Sequence, residues 1–60
     1  MEKLKEIREN AGLTARELSR LIGVKEGRYG HYENGRRELP VNIAKKIGKV
    51  LEINWWEIYE

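Results

Sequence analysis

Apolar residues return along the chain at intervals of three and four, and glycines or small polar residues break the series at short distances. That spacing marks amphipathic helices, in which a face repeats about every 3.6 residues. Leu4, Ile7 and Ala11 make a first stripe, and Gly12 supplies the left-handed residue that commonly closes a helix, so a helix is predicted over Glu2 to Ala11. Thr14 opens a second, because Glu17 three residues later completes a capping box in which each side chain accepts from the other residue's backbone N–H. Its apolar stripe is Leu18, Leu21 and Ile22, and Gly23 ends it. After a connection of about three residues, a third segment runs from about Lys25 to Asn34 and stops at Gly35. Arg36 to Leu39 form a loop, and Pro40 presets the backbone for a new start. Val41 to Leu51 then carry Ile43, Ala44, Ile47, Val50 and Leu51 as a complete helical face. A last short helix is expected from Asn54, with Glu57 as its capping partner.

These segments predict an all-α fold, a compact five-helix bundle in one domain spanning residues 1–60. Two of its helices, Thr14 to Ile22 and Lys25 to Asn34, joined by a tight glycine-containing turn, fit the helix-turn-helix description.

Composition narrows the functions open to such a bundle. A chain of 60 residues, 40% of them apolar, holds one small core, since a domain of this size buries only about 60% of its unfolded surface. A roughly 300 Å³ pocket would compete for the same side chains, which argues against a buried active site. With one His, one Ser, one Thr and no Asp, no Ser-His-Asp triad can be assembled, and no metal-ligand spacing occurs, so no catalytic residues, metal or cofactor are expected. The absence of cysteine removes disulfides and thiolate chemistry and suits a reducing compartment. No apolar run reaches the roughly 18 residues of a membrane span, and the charged start Met1-Glu2-Lys3 lacks a signal-peptide core; a cytoplasmic protein without membrane contact is expected.

Net charge is only +2, but it is unevenly placed. Residues 10–37 hold six bases (Arg16, Arg20, Lys25, Arg28, Arg36, Arg37) against three acids, whereas residues 50–60 hold Glu52, Glu57 and Glu60 and no base. A surface of the first kind can meet phosphates. The second is the less suited to nucleic acid and the better suited to a partner chain.

The residues Ala11-Gly12-Leu13-Thr14, Glu17-Leu18, Leu21-Ile22-Gly23-Val24, Tyr32-Glu33-Asn34-Gly35-Arg36-Arg37 and Pro40 resemble the Cro/phage-repressor, XRE-type helix-turn-helix family over nearly the whole chain. The resemblance implies a transcriptional regulator, a repressor acting at the nucleoid, that docks on double-stranded DNA with its third helix in the major groove and its second across the backbone. Base-facing positions then fall at Lys25, Glu26, Gly27, Arg28 and His31. Arg28 or Lys25 could read guanine, and Glu26 could accept from the cytosine amino group. Phosphate contacts fall at Thr14, Ala15 and Arg16 around the second helix start, and at Asn34, Arg36 and Arg37 beyond the third. Arg8 and Glu33 occupy positions that pair as scaffold, Leu18, Ile22, Val24 and Tyr29 are core positions, and Ser19 is the small residue where helices two and three pack.

Departures from the family pattern fall in the same region. Ala15 stands where a Gln often follows the capping Thr, Lys25 replaces a Ser or Thr cap, and Gly27 and Gly30 lie inside the recognition helix. Each interior glycine costs about 1 kcal/mol relative to Ala. In the last helix Trp55, Ile58 and Ile53 fit core positions, which leaves Trp56 about 100° away and, with Tyr59, a candidate homodimer contact. A dimer would set two recognition helices about 34 Å apart and call for a near-palindromic operator. The competing reading is a helical protein-interaction module, such as an antitoxin-like partner.

Overall fold

The computed structural model describes residues 1–60, and its elements follow the glycine punctuation. Four α-helices, α1 (Glu2–Asn10), α2 (Ala15–Ile22), α3 (Glu26–Glu33) and α4 (Val41–Leu51), precede a 3-10 turn over Trp55–Tyr59, and there is no strand. α1 closes at Gly12 (φ +75°) and α2 at Gly23 (φ +72°). At each, the residue after the glycine donates to the carbonyl five residues back, Leu13 N to Arg8 O at 3.3 Å and Val24 N to Ser19 O at 2.9 Å. The glycine itself donates to the carbonyl three residues back, which completes a Schellman motif and satisfies the orphan carbonyls of the helix end. Thr14 and Glu17 form the full capping box: Thr14 N donates to Glu17 Oε1 at 2.8 Å, and Glu17 N to Thr14 Oγ1 at 3.1 Å.

α4 ends with the same five-residue bond, without a glycine and without the shorter one. Ile53 N donates to Gly48 O at 2.9 Å, and Glu52 is the residue forced to a left-handed φ of 57°. Here the chain must turn sharply because Gly48 lies directly under the following segment. A Cβ at position 48 would stand 2.9 Å from both Ile53 O and Trp55 Cβ.

α1 packs on α3 and the 3-10 turn, α2 on α3 and α4, and α4 on the 3-10 turn. Between them lies one core of Leu4, Leu18, Ile22, Tyr29, Tyr32, Leu39, Ala44, Ile47 and Ile58. Val24, Ile53 and Trp55 pack against it half-buried, and Ser19 is buried with its hydroxyl donating to Arg16 O at 2.8 Å.

Several boundaries and faces differ from the sequence expectation. α1 stops at Asn10, leaving Ala11 exposed as its cap, and α3 begins at Glu26 because Lys25 is extended (φ −63°, ψ 141°) and offers no capping oxygen. Leu21 is 57% exposed, lying at the flank of α2 beside Glu17 and Arg20 instead of under it, and Val50 occupies the corresponding flank of α4 at 37%. The last element is a 3-10 turn and not an α-helix, and Asn54 gives it no side-chain cap. No helix is long and apolar enough to cross a membrane.

Candidate nucleic-acid interface

On α3, Tyr29 and Tyr32 point into the core, and Glu33 beside them turns toward α1. At about 100° per residue the opposite side is centred on Gly27 and His31, flanked by Glu26 and Arg28. Lys25, Glu26, Gly27 and Arg28 are exposed and His31 is half-buried. A Cβ added at Gly27 or Gly30 would meet nothing within 4 Å, so neither glycine is there to let another part of this chain come close. Beside His31 the face is bare backbone at Gly27, with an acid on one flank and a base on the other.

The face is held by its far end. Arg8 donates from Nε to Glu33 Oε2 at 2.7 Å and from Nη2 to Glu33 Oε1 at 3.3 Å, and from Nη1 to Leu13 O at 2.7 Å. One guanidinium therefore ties the C-terminus of α3 to the turn that leads into α2, which fixes the angle between the two outward elements. Both side chains retain little solvent contact, 12% and 13%. Burial pushes the Glu33 carboxyl up, but the hydrogen bond from Arg8 and the neighbouring Tyr29 hydroxyl outweigh it and hold the group below the ordinary carboxylate range. The Tyr29 phenol is pushed far up, chiefly by burial, and its hydroxyl makes no hydrogen bond of good geometry.

Beside this face stands the start of α2. Thr14 and Arg16 are exposed and Ala15 half-buried. The capping box uses the N–H groups of Thr14 and Glu17, so the anion-facing donors left there are those of Ala15 and Arg16. The Thr14 hydrogen bonds hold the exposed Glu17 carboxyl below its ordinary range, so a negative charge already sits at this helix start.

Beyond α3, Asn34 Oδ1 accepts from Arg36 N at 3.0 Å, which closes a turn through Gly35 (φ +81°) and leaves the Asn34 amide and both arginine side chains exposed. Arg37 N donates to His31 O at 3.1 Å, which draws this basic loop back against α3. The α3 face, the α2 start and the basic loop are thus tied together through α3 and Arg8. Trp56 and Tyr59 lie on the 3-10 turn, exposed by 51% and 44%. Leu13 O, the third anchor of Arg8, is a backbone contact that side-chain patterns do not report.

Compared with known proteins, the chain matches the helix-turn-helix family model over residues 4–55 and belongs to that family, of the XRE type. No curated protein and no solved structure matches it. Membership makes this a DNA-binding regulator domain.

Proposed function

We propose, with that membership as the premise, that this regulator is a cytoplasmic repressor. It covers a near-palindromic operator as a homodimer, with α3 of each copy in the major groove. The observation that carries the reading is the outward face of α3, where Lys25, Glu26 and Arg28 stand exposed around bare backbone at Gly27. Arg28 and Lys25 have the donors to read the paired acceptors of guanine, Glu26 suits the cytosine amino group, and His31 borders the same strip. Because Glu26 also repels phosphate, its role is to reject wrong bases more than to add affinity.

Phosphates are met at two places on either side of α3. The free N–H groups of Ala15 and Arg16, next to Thr14 and the Arg16 side chain, receive one strand. Asn34, Arg36 and Arg37 receive the other. Trp56 and Tyr59 join the two copies.

Selection of bound sites from random duplexes tests this reading, followed by titration of salt. Recovery of a palindrome with half-sites about 10 base pairs apart is expected. With about five phosphate contacts, log K should fall against log salt with a slope near −4 to −5. No enrichment, or binding insensitive to salt, would favour a protein-interaction module instead.

A further inference from the structure

The 3-10 turn leaves two of its three aromatic side chains, Trp56 and Tyr59, exposed. At three residues per turn, side chains three apart eclipse one another, so Trp55 shares a face with Ile58, and Trp56 with Tyr59. The first face is inward: Ile58 is fully buried, Trp55 is half-buried, and Lys45 Nζ lies 5.7 Å from the Trp55 ring centroid. The second face is outward. Tyr59 is pinned there by its hydroxyl, which donates to Leu39 O at 2.6 Å, and Trp56 stands edge-on to Trp55 with centroids 5.7 Å apart. Next to Tyr59 opens a groove of about 430 Å³ bounded by Leu39, Arg37 and Glu38. A projecting ring and a concavity therefore lie on one surface, with Tyr59 common to both.

We infer that this surface joins two copies of the chain, Trp56 of each entering the Leu39–Tyr59 groove of the other and Glu57 of each facing Arg37 across the seam. The inference rests on the dimeric reading above and names the contact that makes the dimer. A two-fold seam must be self-complementary, so that each patch meets its counterpart reciprocally. A projection beside a socket meets that condition. Stacking Trp56 on Trp56 would also be reciprocal, but it would bring together two segments that each carry Glu52, Glu57 and Glu60 without a base. Reciprocal insertion sets those acids against Arg37 instead, and with five donors Arg37 can serve a carboxylate and a phosphate together.

Size sets the strength of the seam. Burying an aromatic ring removes about 150–250 Å², and Trp56 is already half covered in the monomer. Two such rings and the groove walls amount to several hundred Å², short of the roughly 1,200 Å² of a stable interface. Glu38 on the same rim opposes the incoming Glu57. The free dimer is therefore weak, with a dissociation constant on the order of 100 µM, and DNA carrying two half-sites completes it.

Sedimentation velocity of the full chain over a concentration series is the test. A reversible monomer–dimer equilibrium is expected. Trp56→Ala should weaken it about a hundredfold, tenfold for each truncated ring. Arg37→Glu and Glu57→Arg should each weaken it, and the double variant should restore it. All three residues are exposed, so circular dichroism of the variants should match the parent. A Trp56→Ala chain that dimerises like the parent, or a double variant no better than the singles, overturns the seam while leaving the dimer standing. A parent chain that stays monomeric at millimolar concentration and binds a single half-site on DNA overturns both.

Discussion

Replacing Gly27 by Ala should make the protein more stable and the DNA complex weaker. Position 27 is in the first turn of an eight-residue helix, its φ is not left-handed, and an added Cβ meets nothing within 4 Å. Part of the helix-propensity gain, at most the about 0.8–1 kcal/mol of a helix interior, is then available without opposing strain. For a domain of this size that corresponds to a rise in Tm of at most about 4–8 °C, read from a thermal melt without DNA. Gly48→Ala is the control, because the same propensity gain is opposed there by contacts of 2.9 Å with Ile53 O and Trp55 Cβ. Overpacking costs about 1–3 kcal/mol, so Tm should fall. The new methyl at 27 also occupies the strip proposed to face DNA, and binding of a selected duplex should weaken by about tenfold, of the order of one lost close contact. A fall in Tm for Gly27→Ala, or equal rises for both variants, would refute the packing argument. Tighter DNA binding by Gly27→Ala would show that the glycine loosens α3 and does not serve close approach.

Glu52→Gly should stabilise the chain by about 0.5–1 kcal/mol in urea melts, because a left-handed φ strains a residue with a Cβ; no gain would mean that the α4 turn is already relaxed. Glu33→Gln should cost about 2–3 kcal/mol near neutral pH, since it leaves the Arg8 guanidinium without its carboxylate. The pH dependence has a fixed sign: the folded-state pKa of Glu33 lies below 4.5, so its stabilisation is present above 4.5 and is lost as the pH falls through the lower folded value. Urea melts across that range should show a shallower acid decline for Glu33→Gln than for the parent, and parallel declines would contradict the assignment. Leu21→Gln should change stability by less than about 0.5 kcal/mol, as expected for an exposed side chain, whereas Leu18→Ala should cost about 3 kcal/mol or more.

The helix starts and stops that rest on local chemistry were legible in the sequence. Thr14 with Glu17 and the glycines at 12 and 23 act through hydrogen bonds within a few residues, and each sits where the pattern placed it. Faces shared between helices were harder. Leu21 and Val50 fit the apolar stripes by spacing alone, but each stripe is wider than the neighbour that covers it, and nothing in one helix shows where the next one ends. The apolar face placed the end of α4 at Leu51, where it is, but not the left-handed Glu52, since no residue type marks a turn imposed by packing on Gly48. On α3, the family resemblance already set Tyr29 in the core and Gly27 and Arg28 on the outside, where burial places them; the burial of Tyr32 came only with the fold. The reach of Arg8 to Leu13 O depends on how two turns meet in space, and side-chain order carries no sign of it.

The proposed division of labour, α3 on base edges and the flanking basic loop on the backbone, is tested by comparing Arg28→Ala with Arg36→Ala on a selected operator and on single-base-pair variants of it, over a series of salt concentrations. Arg28→Ala should lose about 1–3 kcal/mol on the parent site and discriminate less at one base pair only. Arg36→Ala should weaken every duplex alike and lower the salt slope by about one. If Arg28→Ala instead weakens all duplexes equally, or leaves the preference intact, the exposed strip of α3 is not what reads the DNA.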